Sequence, residues 1–212
     1  MSEQVKTSQR PADVYFFATC VVDQFFPGAG LDAITLLERA GIRVHFPEEQ
    51  TCCGQPAYTS GFPDEARKVA ALQLTLFSND WPVVVPSGSC AGMMKHHYPT
   101  LFAADPARKA QADALSSRVY EFTDFLVNVL GWQPEDEGSE CTVVLHTSCA
   151  ARREMGVHLT GRKLLGGLNK VKVAQQDHES ECCGFGGTFS IKQPEISGAM
   201  VEDKVKSLKA TG

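Results

Sequence analysis

The chain has no run of 18 apolar residues, so nothing in it has the length and character of a membrane-spanning helix. It has no excess of basic residues. Lysine and arginine total 20 against 25 aspartates and glutamates, a net charge of −5, which argues against nucleic acid or an anionic membrane as a partner. The stretch from Met1 to Asp13 is polar and lacks the apolar core of a secretory signal. These absences point to the cytoplasm, where disulfides are rare and clustered cysteines serve metals or redox chemistry. Neither half of the chain carries a Cys-x-x-Cys pair, the usual short chelate loop of structural zinc.

What is present is eight cysteines in a repeating arrangement. Cys52-Cys53-Gly54 and Cys182-Cys183-Gly184 are two copies of one motif. Cys20 precedes the first doublet by 32 positions and Cys149 precedes the second by 33. With Cys90, seven of the eight cysteines fall within this scheme, as expected if one thiolate-rich site was built and then copied.

The order of elements repeats as well. Val14 to Ala18 is a short apolar run that predicts a buried strand, and Cys20 follows it. Leu31, Ile34 and Leu37 form the apolar stripe of a helix over 31–40 that stops at Gly41. Arg43 to Phe46 predicts a second strand leading to the first doublet. A helix over 64–78 is entered through Pro63, and the strand Val83 to Val85 runs into a loop bearing Cys90. The second copy reads strand 142–146, Cys149, a glycine-weakened helix over 161–168, strand 171–175, Cys182-Cys183, and a helix over 195–210 after Pro194. Between the copies, 106–117 and 120–130 predict helices and 133–139 an acidic linker.

Strand–helix alternation predicts an α/β fold: two tandem pseudo-repeated parallel-sheet units with flanking helices. In open sheets of this kind sites form at the carboxyl ends of strands, where all the repeat cysteines fall. The expected divisions are a polar tail over 1–13, a first repeat over 14–105, a connection over 106–140 and a second repeat over 141–212. The first repeat places its fourth cysteine 37 positions after the doublet, and the same spacing in the second runs past Gly212. The second repeat is therefore expected to lack its last strand and fourth cysteine, and to expose a sheet edge that a homodimer would cover.

Cys20, Cys52, Cys53 and Cys90 form a four-thiolate set, and Cys149, Cys182 and Cys183 a three-thiolate set. Soft thiolates select zinc, copper(I) or iron–sulfur clusters. Adjacent cysteines reach two metal atoms of a cluster more readily than two corners of one tetrahedron, and Gly54 can take positive φ and let backbone approach sulfur. The pattern favours an iron–sulfur cluster. A structural zinc protein and a thiol–disulfide enzyme using the vicinal cysteines directly remain open. Cys141, at a strand start outside the repeat, reads as a small buried hydrophobe.

The segments Cys20 to Pro27, Glu49 to Pro56, Ser87 to Cys90 and Glu181 to Phe189 resemble the cysteine-rich CCG domain. That domain occurs in heterodisulfide reductase and in iron–sulfur subunits of glycolate and glycerol-3-phosphate oxidising enzymes. The chain is most similar to the lactate utilisation protein A group, stand-alone proteins of two such domains. The resemblance implies that the seven repeat cysteines bind a cluster of the 4Fe-4S class. It also implies electron transfer in a multiprotein system oxidising L-lactate or a related 2-hydroxy acid, with the alcohol oxidation itself requiring other subunits. Met93 stands where heterodisulfide reductase closes a further Cys-x-x-Cys, so the resemblance does not extend to that enzyme's noncubane cluster.

Four lesser signals have plainer readings. Gly28-Ala29-Gly30 followed by Ala33 matches a dinucleotide pattern, but it sits too far beyond its strand and reads as a helix entry. His96-His97 reads as a solvated helix face rather than a metal site. His146 is a candidate for tuning a cluster. Arg152-Arg153 reads as a helix surface, with charge balance for thiolates or a partner contact as the functional alternative.

Overall fold

The computed structural model describes residues 10–186 and 188–212. The polar tail up to residue 9 and Gly187 lie outside the described residues.

The first repeat builds strand β1 (Asp13–Phe16), helices α1 (Cys20–Phe25) and α2 (Pro27–Arg39), and strand β2 (Arg43–His45). Helices α3 (Gln55–Thr59) and α4 (Pro63–Leu76) and strand β3 (Val83–Val85) follow. Helix α5 (Gly88–Gly92) then runs through a π-helical turn, Met93–His97, into α6 (Tyr98–Leu101). Pro99 lacks an N–H for the ordinary i−4 bond, and the turn is widened so that the Tyr98 N–H reaches the Met93 carbonyl. Helix α7 (Pro106–Ser117) and strand β4 (Val119–Glu121) complete this unit, and helix α8 (Phe122–Asp124) continues into a π turn, Phe125–Val129.

The four strands form one parallel sheet in the order β2-β1-β3-β4. Successive residues point to opposite faces. Val14, Phe16 and Val84 pack with Ala33, Leu37, Phe125 and Leu126 on one side. Tyr15, Phe17, Val83 and Val85 pack with Ala66, Ala70, Tyr98 and Leu115 on the other. Both faces are buried, as a parallel sheet requires. Each fully buried large side chain stabilises the fold by about 1.5–3 kcal/mol.

The region expected as a helix over 120–130 instead opens with β4. Its three residues pair with β3 from Val83↔Val119 to Val85↔Glu121. Buried Glu121 then ends the strand and starts the helix, its carboxylate accepting the N–H groups of Thr123 at 2.7 Å and Asp124 at 3.2 Å.

The second repeat is smaller. Strands β5 (Cys141–Val144) and β6 (Val171–Ala174) pair in parallel. They are accompanied by α9 (Cys149–Arg153), α10 (Val157–Gly166), α11 (Phe189–Lys192) and α12 (Pro194–Lys209). Helix α10 starts four residues before its expected position, because Gly156 takes φ 65° and opens it; Gly166 and Gly167 end it. Among the described residues, no helix is long and apolar enough to cross a membrane.

The repeats meet where α5 lies against α9. A Cβ on Gly88 would collide with the backbone and side chain of Ala151, and one on Gly92 would overlap the Glu154 carboxylate. Glycine at both ends of this one-turn spacing lets the backbones touch. His97 Nε2 lies 3.4 Å from a Glu154 carboxylate oxygen, and His96 Nε2 is 3.2 Å from the Glu154 carbonyl. Thr123 and Thr160 hydroxyls (2.6 Å) and Ser60 and Thr188 hydroxyls (2.8 Å) bridge the units elsewhere.

Gly88→Val should therefore cost about 1–3 kcal/mol through overpacking. Gly28→Ala, at an exposed helical site where nothing lies within 4 Å, should stay within about 0.5 kcal/mol of wild type. Urea unfolding midpoints of the two variants would check this; equal midpoints would show that the α5–α9 contact can relax.

Candidate metal or redox centre

The seven repeat cysteines follow the carboxyl ends of the strands. Thr19 lies between β1 and α1, and its hydroxyl accepts the Val22 N–H at 3.4 Å, which starts α1 at Cys20. Ser148 does the same for Cys149, accepting the Ala151 N–H at 3.3 Å. Gln50 ties the loop before the first doublet to the end of β1. It donates to the Phe16 carbonyl (3.2 Å) and accepts the Ala18 N–H (2.9 Å). The buried Tyr98 hydroxyl donates to the Cys53 carbonyl at 2.9 Å, fixing the doublet from beneath. In the second repeat Ser197 donates to the Gly184 carbonyl at 3.0 Å. Lys204, itself buried, donates to the His178 carbonyl at 2.8 Å.

Both motif glycines adopt left-handed backbone, Gly54 at φ 86° and Gly184 at φ 79°. That conformation aims each N–H at the first sulfur of its doublet, 3.4 Å away in both copies. Space enforces the same choice. A Cβ at Gly54 would sit 3.1 Å from the Ala66 carbonyl oxygen, and one at Gly184 would lie 2.9 Å from Ser197 and Met200 atoms. Glycine is thus required twice over at each position.

All seven repeat cysteines line one cleft of about 570 Å³ between the repeats. The expected gathering at one end of each sheet is exceeded: the two ends face each other across a shared space. Cys53 and Cys90 are buried, Cys52, Cys149 and Cys183 are partly buried, and Cys20 and Cys182 lie at the exposed rim. None of the eight cysteines is in a disulfide. Cys141 lies at the first residue of β5, outside the cleft; it is exposed rather than buried, because β5 pairs only with β6.

In the first set the acidities are staggered. The neighbouring Cys52 and Cys90 sulfurs, with burial, drive the Cys53 thiol well above its usual range. Cys52, accepting from Cys53, the Gly54 N–H and Cys20, falls to about 6. Cys90 is also lowered, by Cys53 first and then, against the effect of burial, by the hydroxyls of Ser87 and Ser89. Cys20 rises to about 11, chiefly because the cleft wall desolvates its thiol despite its place at the rim, and further because Cys52 is charged. Burial, followed by the neighbouring Cys53, Cys90 and Cys52, raises Tyr98. Cys149 is raised by burial and by its bond to Cys182, with Arg153 opposing.

Other sequence candidates fall outside this centre. His96 and His97 serve the α5–α9 junction through Glu154. His146 is absent from the cleft lining; burial lowers its pKa. Gly28 and Gly30 lie inside the first turn of α2, and a Cβ on Gly30 would sit 3.1 Å from the Val22 side chain, so the strand-to-helix turn of a dinucleotide site is not formed. Arg152 pairs with Glu179 at 3.0 Å, while Arg153 lines the cleft. The supporting roles of Gln50, Ser87, Ser89 and Tyr98 escape sequence reading. Gln50, Ser87 and Ser89 had a signal only as members of the segments Glu49 to Pro56 and Ser87 to Cys90 that carry the family resemblance.

Residues 14–95 and 143–212 match the CCG family, described as a cysteine-rich domain. The chain belongs to this family. It is 47% identical over 202 residues to lactate utilization protein A 1 of Bacillus mycoides (strain KBAB4), covering 94% of this chain and 81% of that protein. It is 44% identical to lactate utilization protein A of Shouchella clausii (strain KSM-K16), covering 94% and 83%. Lactate utilization protein A 2 of Bacillus cereus (strain 03BB102) is 40% identical, with 93% and 82% covered.

The staggered acidities give a direct test on reduced, metal-free protein. Thiolate, not thiol, attacks iodoacetamide. With its pKa lowered to about 6, Cys52 is ionised at neutral pH, whereas Cys20, raised to about 11, is protonated. At pH 7 Cys52 should be labelled at least about tenfold faster than Cys20. Its rate should climb through pH 6 and level off above pH 7. Peptide mass spectrometry would read both; faster labelling of Cys20 would contradict the assignment.

Proposed function

We propose that this protein is an iron–sulfur electron carrier in the oxidation of L-lactate or a related 2-hydroxy acid, acting in the cytoplasm with other subunits of that system. The observation that carries the reading is the convergence of seven cysteines on one cleft. The names of the relatives, all lactate utilization proteins, support the metabolic setting.

The donor set suits a cluster. It consists of thiols, with no histidine lining the cleft. Cys20, Cys52, Cys53 and Cys90 would hold a cluster of the 4Fe-4S class in the first repeat, and Cys149, Cys182 and Cys183 would bind on the opposite wall. An iron–sulfur cluster supplies reversible one-electron transfer at a potential set by its hydrogen bonds, charge and exposure.

The protein's own residues supply the rest. Gly54 and Gly184 direct N–H groups at sulfur and stabilise negative charge there. Tyr98 and Gln50 hold the first doublet still. Buried Cys53 and Cys90 place one side of the set away from water, while Cys20 and Cys182 at the rim bring sulfur to the surface where a redox partner can approach. Oxidation of a 2-hydroxy acid removes two electrons at once, chemistry that belongs to a cofactor such as a flavin or a nicotinamide. That chemistry is assigned to another subunit and its cofactor.

One observation favours a second reading. A low-pKa Cys52 beside Cys53 and Cys20 is the arrangement of a reactive dithiol, which would cycle between thiol and disulfide without metal.

Anaerobic reconstitution followed by iron and sulfide analysis and electron paramagnetic resonance separates the two. Cys52→Ser and Cys53→Ser should each lose most of the iron and visible absorbance, whereas Cys141→Ser should keep both. Unchanged iron in the doublet variants would sink the cluster assignment. Full dithiol turnover by iron-free protein would favour the second reading.

A further inference from the structure

The repeats share one pattern but differ in charge at matched positions. Aligning α1 with α9 through Cys20 and Cys149, each preceded by its capping hydroxyl, places Asp23 opposite Arg152 and Gln24 opposite Arg153. The recess beside Cys20 and Cys52 is lined by the carboxylates of Asp23 and Glu48 and by no cation. The second side is different. Arg153 lies one turn beyond Cys149 and lines the shared cleft. Arg152 and Arg162 both bind the carboxylate of Glu179, leaving one positive charge in excess there. Glu154, the other charged residue on the cleft wall, faces His97. Among the described residues, Arg153 itself forms no ion pair. Two carboxylates thus flank the first set. Around the second, Arg152, Arg153, Arg162 and Lys204 oppose Glu154, Glu179 and Glu181, the last of them turned to His178.

We infer that this asymmetry makes the two thiolate sets unequal redox sites, with the second repeat, beside Arg153, as the higher-potential end, so that electrons pass from the first repeat to the second. The inference rests on the electron-carrier reading proposed above. Reduction adds one negative charge. A nearby guanidinium stabilises the reduced form, and nearby carboxylates destabilise it. The partly desolvated cleft screens these charges less than open water does. In each transfer the first site loses one electron and the second gains it, and no bond is made or broken. Arg153 acts as a positioning residue that sets the field.

Two arms test this. On metal-free reduced protein, the rate ratio of anionic iodoacetate to neutral iodoacetamide reports local potential at each cysteine. The ratio should be about fivefold higher at Cys149 than at Cys20, the order expected for a well-screened unit charge one helical turn away. Arg153→Gln, which installs the residue type found at Gln24, should remove most of that difference, Arg153→Lys should keep it, and Gln24→Arg should raise the ratio at Cys20. Equal ratios at the two cysteines, or a Cys149 ratio unmoved by Arg153→Gln, would overturn the inference.

On iron-loaded protein, a dithionite titration followed by electron paramagnetic resonance should show two midpoints. Arg153→Gln should lower the upper one by about 40 mV, a fivefold change at 59 mV per tenfold for one electron. A shift of the lower midpoint alone, or of neither, would also overturn it. A protein that takes up no iron defeats the electron-carrier reading and the direction of transfer with it, and the alkylation ratios then show whether the charge asymmetry stands by itself.

Discussion

The close approach of α5 and α9 governs everything else in this protein. Each helix carries a cysteine, Cys90 or Cys149, and each belongs to a different repeat. Gly88 and Gly92 let the α5 backbone settle directly on Ala151 and the Glu154 side chain. Without that contact there would be two separate cysteine patches on two sheets. With it there is one cleft whose opposite walls are both sulfur. The ion pair of His97 with Glu154 fastens the same junction from the side. Its partners are partly exposed, so its own contribution is small; the close packing is what sets the geometry.

Much of this was legible in the sequence. The strands Asp13–Phe16 and Val83–Val85 stood out as short apolar runs, Arg43–His45 fell within the strand expected ahead of the first doublet, and Pro63 and Pro194 marked their helices within a residue. The doublets were visible as a repeat, and the family resemblance followed from them. Strand β4 was not visible. Val119, Tyr120 and Glu121 are too few to show alternation, and they run without a breaker into Phe122–Val129, whose apolar spacing is helical. Only pairing with β3 makes them a strand. Cys141 misled for a related reason, since burial of a strand residue depends on neighbours that no local pattern reveals.

The shared cleft was the larger gap. Repetition announces that a site was copied but carries no information on how the copies face one another. That relation depends on Gly88 meeting Ala151 and on His97 meeting Glu154, pairs more than fifty positions apart. Gly88 and Gly92 also look ordinary among 18 glycines. Tyr98 is similar: nothing in its neighbourhood predicts that its hydroxyl will support the Cys53 carbonyl forty-five positions earlier.

The left-handed glycines have a consequence for how a ligand is taken up. At Gly54 and Gly184 the backbone conformation is settled by close packing against Ala66, Ser197 and Met200, contacts made by the folded chain alone. The doublet loops therefore reach their shape during folding, and the conformational entropy of ordering them is lost then. Small zinc domains stand at the other extreme, remaining unfolded until metal gathers their ligands. A metal group bound by these sulfurs would meet a cradle that the fold already shapes, and nearly all the free energy of bonding would go into retention rather than into shaping the chain.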